Sequence, residues 1–302
     1  MGISFYRIKK WFRMITGRSI LHVDQGVGSQ FIPGELKGYY NDLTEKVTKD
    51  EAHISDVAYI PEFKTELGDT VEFAITIIQY GLGCYDMYIK TGDSVFLDKF
   101  ITCAQWARNH QSDDGAIDAF SSIYPDAPYS AMCQGECASL FLRAHAVLSD
   151  RSYFDRAEKA LAFMLAEKDS GGLCDYTDGL VLKEYTHLPV VMNGWIFAMF
   201  GIYDMSLVSD DERYGELFRS SVEALARALP SYDNGYWSMY DAGGKIASPF
   251  YHDLHIAQMN ALFAVSGNPV FKEYGDRFLK YRKSFFKRSR AFIKKAIQKI
   301  FE

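Results

Sequence analysis

The sequence predicts a mainly α-helical fold, an incomplete (α/α)4 toroid of four helix hairpins with β-hairpin loops on one face and a short extended or β lead-in. Three observations predict it. A helix-turn-helix marker recurs as TGDSVFLDKF, SDRSYFDRAE, SDDERYGELF and SGNPVFKEYG. Each marker follows an apolar helical stretch and opens an amphipathic one. Long connections rich in Asp-Gly, Gly-Gly and aromatic residues separate the pairs.

The marker sets the period. Asp93, Asp150, Asp211 and Asn268 fall at equivalent places, 57, 61 and 57 residues apart, each followed three residues later by Phe96, Tyr153, Tyr214 or Phe271. Such a period signals stacked supersecondary units, none of which buries its apolar face alone.

In chain order, residues 1–60 read as a basic N-terminal helix followed by an extended or hairpin lead-in, a small appendage in which Gly26, Gly28, Pro33, Gly34 and Gly38 interrupt short apolar runs. The toroid is expected over 61–284 and a basic amphipathic helix over 285–302. The inner helices are FAITIIQYGLGCYDMYI, SAMCQGECASLFLRAHAVL, VVMNGWIFAMFGIYDMSL and LHIAQMNALFAV. The helices that return behind them show the 3.6-residue amphipathic pattern of an outer ring.

Val190 to Met205 is apolar all round, which suits a helix buried among helices, and Asn193 is its expected cap. Glu184 and Tyr185 stand just ahead of it, an ionisable pair at the mouth of an inner helix. On the residues of this stretch alone, Glu184 reads first as a solvated loop carboxylate. Each long connection leaves an outer helix and enters an inner one, so all emerge at one end, where function concentrates.

Composition narrows the function classes. A chain of 302 residues with 48% hydrophobic content buries a large core, and 15% aromatics suits flat polar ligands such as carbohydrates. Five cysteines without a Cys-x-x-Cys pair argue against a disulfide framework or a zinc knuckle, and a reducing, cytoplasmic compartment is expected. His252 and His255 have metal-like spacing, but no third ligand lies near, so no metal is expected. Phosphate loops, dinucleotide fingerprints and basic-aromatic signatures are not evident, so neither a cofactor nor a nucleic acid is expected.

No apolar run reaches membrane-spanning length. The net charge of -6 conceals a tail, Arg277 to Lys299, with ten Lys or Arg and no acid. Both basic termini suit peripheral contact with an inner membrane, and the tail equally suits an acidic partner or packing on its own domain.

PYSAMCQGECASLFLRAH, KEYTHLPVVMNGWIFAMFGIYD and YHDLHIAQ, with IQYGLGCYDMYIKTGD and GYYNDLTEK, resemble the C-terminal catalytic domain of the D-glucuronyl C5-epimerases over about residues 38–280. The resemblance implies a short, bacterial-type member lacking the family's large N-terminal β region, and a homodimer is one assembly it allows. It implies epimerisation of D-glucuronate to L-iduronate within a uronic-acid-containing oligo- or polysaccharide, a cell-surface glycan that is lipid-linked in one version of this reading.

By the same resemblance Glu184, Tyr240 and Tyr251 match the catalytic Glu and two Tyr, with Tyr185 beside them. Gln79, Tyr80, Tyr129, Gln134, Arg143, His187, Asn193, Asp241, His252, His255 and Gln258 are the expected substrate-binding set. Gln134, Asn193 and Gln258 sit near inner-helix starts, where they face the ring's centre or satisfy helix ends. Arg143, on an inner helix, needs a partner if buried and otherwise bridges helices. One departure stands out: where the family has Tyr-Asp-Leu-Arg, this chain has Tyr240, Asp241, Ala242, Gly243, so a cation for the substrate carboxylate is missing and His187 is its candidate replacement.

Two other readings stay open. A uronate lyase or glycoside hydrolase uses the same toroid, although only Asp241 offers a second acid beside Glu184. A non-catalytic glycan-binding protein is the third.

Overall fold

A computed structural model of the chain describes residues 23–64, 69–167 and 172–301. The expected basic N-terminal helix lies outside the described residues. The lead-in carries one antiparallel bridge, Val27 to Asn41, then a five-residue helix, α1 (Thr44–Thr48), and a strand pair, β1 (Glu62–Lys64) with β2 (Thr70–Glu72). The helix departs from the extended expectation. Asp42 Oδ1 accepts hydrogen bonds from Thr44 N and Thr44 Oγ1, starting a turn that buries Val47.

Four hairpins follow with the expected period. They are α2 (Ala74–Thr91) with α3 (Ser94–His110), α4 (Ala131–Leu148) with α5 (Arg151–Leu165), α6 (Met192–Val208) with α7 (Arg213–Ala228), and α8 (Pro249–Ser266) with α9 (Pro269–Lys283). The marker residues build each turn. Asp93, Asp150, Asp211 and Asn268 accept from the backbone N–H two residues on, at 3.0, 2.9, 3.0 and 3.1 Å, satisfying a helix-start donor that has no partner within the helix. The aromatic residue three positions later is buried every time. One short pattern thus starts the outer helix and docks it, with Asp93, Asp150 and Asn268 as N-caps and Asp211 one residue ahead of the cap Glu212.

The inner helices form a row in which α4 packs on α2 and α6, and α6 on α8. Among the described residues α2 and α8 do not close the row into a ring as the other neighbours do. The tightest crossing is between α4 and α6. A Cβ on Gly135 would lie 2.5 Å from Ala198 Cα, and one on Gly201 would lie 2.3 Å from the Gly135 carbonyl oxygen, so only glycine allows this approach.

All four inner helices run the same way, and the lead-in seals the end away from the loops. Arg143 Nη1 donates to Asp204 Oδ2 at 2.6 Å and Nη2 donates to the Gly38 carbonyl at 2.6 Å. Tyr40 Oη donates to Asp204 Oδ1 at 2.5 Å, and Tyr39 N donates to Asp86 Oδ1 at 3.0 Å. Tyr39 and Tyr40 are fully buried. The lead-in is therefore part of the core rather than a small appendage.

The loops differ from one another. The second contains the strand pair β3 (Cys174–Asp175) with β4 (Val181–Leu182), and the third is joined by single bridges. The first, expected as a hairpin, folds as turns instead. Asp114 and Asp118 turn their carboxylates onto the backbone N–H groups of Ala116, Phe120 and Ser121, and Pro125 and Pro128 offer no N–H to a ladder.

Helix α8 begins five residues before the apolar run that announces it. Ser248 caps it by accepting from Tyr251 N, with Pro249 at the first helical position. Tyr251 and His252 therefore stand on the first turn of an inner helix.

Replacing Arg143 by Ala leaves Asp204 buried without its cation. The expected loss is about 3–5 kcal/mol in urea denaturation; a loss below about 1 kcal/mol, the scale of an exposed pair, would show that the far end is held by other contacts.

Candidate active site

Glu184 stands two residues after β4, and its position is set by the backbone bonds of Lys183 just ahead of it. Lys183 N donates to the Leu173 carbonyl at 2.8 Å and Ala131 N donates to the Lys183 carbonyl at 3.0 Å, tying the segment to the start of α4. The carboxyl then tucks against the first turn of α6. A Cβ on Gly194 would lie 2.2 Å from Glu184 Oε2, so the glycine makes the space that the carboxyl fills.

Tyr240 comes from the third loop and is joined to the same helix start. Met192 N donates to the Tyr240 carbonyl at 3.2 Å, and Ala242 N donates to the Val190 carbonyl at 2.9 Å. Tyr251 arrives from the first turn of α8, its ring centroid 4.8 Å from that of Tyr240. Tyr185 stacks on Phe120 of the first loop at 4.7 Å. Three loops and three inner-helix starts converge here.

Their polar ends form one string. Tyr185 acts on Glu184, Tyr185 on Tyr240, and Tyr240 on Tyr251, so the four polar groups are electrostatically coupled in that order. Glu184 is buried at one end, while the three tyrosines are half-buried and reach the surface. Burial pushes the Glu184 carboxyl up to about 7, against a smaller lowering by the Tyr185 hydrogen bond. Burial first, and then the charge of Glu184, raises the phenols of Tyr185, Tyr240 and Tyr251 above their ordinary value. The site therefore holds a carboxyl poised near neutrality beside phenols that keep their protons.

The amide residues surround this string with hydrogen-bonding capacity. Gln134 Nε2 donates to the Ile117 carbonyl and Gln258 Nε2 to the Asn193 carbonyl, at 2.9 and 3.1 Å. Gln134 Oε1, Asn193 Oδ1, Gln258 Oε1 and Glu184 Oε2 are buried acceptors with no protein donor. Asn193 does not cap its helix; Val191 is the cap residue and no side chain serves, because Asn193 already lies within the first turn.

Several of the other expected site residues are engaged elsewhere, while the histidines stay beside the site. Arg143 is held by the ion pair at the far end, about 18 Å along the helix from the start of α4. Tyr80 lies under the Lys99 ammonium, 5.4 Å from its ring centroid, and Tyr129 packs edge-on against Phe163 of an outer helix. Asp241 spends its carboxylate on the turn, accepting from Gly243 N and Lys245 N. Ser238 Oγ sits 2.8 Å from His252 Nδ1 and 2.9 Å from His255 Nδ1, and the Phe278 carbonyl meets His252 Nε2. Burial pushes His252 down to about 3 and His255 also downward, so both rings are neutral; His252 is engaged through both nitrogens, whereas His255 Nε2 is buried with no protein partner. His187 is exposed, with its ring 4.8 Å from Tyr124 and 6.3 Å from Tyr185.

Sequence reasoning missed Glu136. It is fully buried on α4, bonded by Gln79 Nε2 at 2.9 Å, and pushed up to about 8 by burial, with Glu184 adding to the rise. Lys46 of α1 faces it and is pushed down to about 8, again by burial. A charged residue among apolar ones on an inner helix was the available signal. Lys295 of the tail, its Nζ 6.0 Å from the Tyr240 ring centroid, was likewise unforeseen.

Comparison with known proteins agrees with the geometry. Residues 117–280 match the family model described as D-glucuronyl C5-epimerase C-terminus. The chain is 26% identical over 212 residues to a D-glucuronyl C5-epimerase of Caenorhabditis elegans, covering 60% of this chain and 34% of that protein. It is 28% identical over 151 residues to an uncharacterized protein of Methanocaldococcus jannaschii, covering 48% and 49% respectively. The chain thus spans between a third and a half of the length of these relatives. The fold is similar to a GH76 α-mannanase of Bacteroides thetaiotaomicron (TM-score 0.54, 14% identity, 80% and 70% of the two chains) and to a cellobiose 2-epimerase of Bacillus thermoamylovorans (TM-score 0.54, 11% identity, 92% and 69%).

Glu184 also makes a stability prediction. Its folded pKa, about 7, lies above the ordinary 4.5, so it favours folding while protonated and opposes folding as pH rises from the lower value through the higher. Glu184→Gln is expected to remove about 3 kcal/mol of the stability lost between about pH 4 and pH 8, read by urea denaturation across that range. An unchanged slope would mean that the carboxyl is not raised.

Proposed function

The chain belongs to the D-glucuronyl C5-epimerase C-terminus family, and from that premise we propose that it inverts C5 of a hexuronate within a polysaccharide, turning D-glucuronate into L-iduronate units. The observation that carries this reading is the string of mutually coupled groups from buried Glu184 through Tyr185 and Tyr240 to Tyr251, whose ring centroid lies 4.8 Å from that of Tyr240.

Inversion requires removing the C5 proton and returning one to the opposite face. Ionised Glu184 takes the proton, and the C–H electron pair passes into the uronate carboxylate as an enediolate. Tyr251, whose phenol is held in its acid form, delivers a proton to C5 from the other side. The proton on Glu184 then passes through Tyr185 and Tyr240 to Tyr251, restoring both groups. No proton is gained or lost over the cycle, so no cofactor is required to balance it.

The enediolate carries extra negative charge, and the family arginine is absent. The starts of α4, α6 and α8 supply partial positive charge at this end of the fold. His187 beside Tyr185 and Lys295 above Tyr240 stand next to the string. The buried acceptors of Gln134, Asn193 and Gln258 suit sugar hydroxyls.

Oligosaccharides alternating glucuronate with N-acetylglucosamine, incubated in deuterated water, are expected to gain deuterium at C5 without chain cleavage. The exchange rate is expected to rise with pH through about 7 as Glu184 ionises. Glu184→Gln and Tyr251→Phe each lower it by about a hundredfold or more. An unsaturated product absorbing in the ultraviolet would replace this reading with a lyase, and neither exchange nor cleavage would leave a binding protein.

A further inference from the structure

The last helix, α10 (Phe285–Phe301), is mounted with its apolar face outward. Its inner side is held largely by polar groups. Lys295 Nζ donates to the Ile246 carbonyl at 2.7 Å, Gln298 Nε2 donates to the Gly244 carbonyl at 3.0 Å, and Gln298 Oε1 accepts from Ile246 N at 3.0 Å. Lys287 Nζ donates to the Gly235 carbonyl at 3.1 Å. Its outer side carries Phe285, Phe286, Phe292, Ile293 and Ile297, which are 66%, 84%, 44%, 58% and 44% exposed. A surface helix ordinarily turns its apolar stripe to the core; this one does the reverse.

Cations border the stripe. At about 100° per residue, Phe286, Ile293 and Ile297 fall on one line, with Arg290 and Lys294 to one side of it and, on the other, Phe285 and Phe292 followed by Arg288, about 160° round from Phe286. All three cations are exposed, and no acid occurs between Arg277 and Lys299. None of the described helices is long and apolar enough to cross a membrane. A face of this kind suits lying in the plane of a bilayer interface.

We propose that α10 docks the protein on an anionic lipid surface, with Phe286, Ile293 and Ile297 in the acyl boundary and Arg288, Arg290 and Lys294 at the headgroups. Charge complementarity selects this occupant. A second copy of the helix would bring two basic, acid-free faces together. The first 22 residues of this chain carry Arg7, Lys9, Lys10, Arg13 and Arg18 and no acid, so they would be repelled as well. Because α10 grips Gly244 and Ile246, and Tyr240 N donates to the Lys245 carbonyl at 2.6 Å, docking sets the catalytic loop beside the membrane. A glycan attached to that membrane is then delivered to the mouth of the site.

The test is co-sedimentation of the full chain with vesicles of phosphatidylcholine alone or mixed with phosphatidylglycerol. Binding is expected to the mixed vesicles only, to weaken with salt, and to fall at least about tenfold in the double variant Phe286→Ser, Ile293→Ser. The unfolding midpoint of that variant is expected to stay unchanged, since both side chains are exposed. Equal partition to neutral vesicles, no partition at all, or full binding by the variant would overturn the proposal. So would a monomer–dimer equilibrium, seen by light scattering, that the same substitutions abolish while vesicles are ignored. Because lipid binding is read directly, the result is independent of which reaction the site performs.

Discussion

The Arg143–Asp204 pair is the interaction on which the arrangement depends. Two charges removed from water are tolerable only when each meets a well-placed partner, and here the partners come from three parts of the chain. Arg143 lies on α4, Asp204 on α6, and Gly38 and Tyr40 come from the lead-in. The pair therefore fixes two inner helices and the segment that closes their far ends in a single act. With those ends held, and with Gly135 and Gly201 allowing the helices to touch, the starts of α4 and α6 have no freedom to drift apart. That is the end where Glu184 sits.

The chemistry of the site follows from its burial gradient. Glu184 is buried and the tyrosines reach the surface, so desolvation raises the carboxyl into the neutral range while the phenols retain their protons. A base and an acid are thus available together at one pH, which an exposed carboxylate paired with a depressed tyrosine would not provide. Glu136, bonded to Gln79 and faced by Lys46, extends the buried polar layer beneath Glu184. Asp241 spends its carboxylate on the turn, which removes the nearest sequence candidate for the paired acids of a hydrolase.

The tail connects this site to the surface of the molecule. Lys295 and Gln298 grip the loop that presents Tyr240, while the opposite side of the same helix exposes phenylalanine and isoleucine. A single helix thereby performs two tasks that are legible separately: polar groups facing inward order a loop, and apolar groups facing outward await a cover.

Much of this was legible in the chain before any contact was known. The repeated Asp or Asn followed by an aromatic fixes cap and docking locally, so four hairpins could be counted from it. The family-like motifs brought Glu184, Tyr185, Tyr240 and Tyr251 forward as a set, and the fold brings those four together. What a local pattern cannot carry is partnership. Arg143 and Gln134 looked alike as polar residues on one inner helix, yet the first meets Asp204 at the far end and the second the Ile117 carbonyl near the loops, because about two and a half turns of helix separate them. Glu136 acquired its raised pKa only once folding buried it and brought Glu184 near, against the opposing pull of Gln79 and Lys46. The amphipathic period of α10 determined that it has an apolar face. Only the tertiary structure decided that the face points outward, because Lys295 and Gln298 find unpaired backbone groups in a loop some fifty residues away.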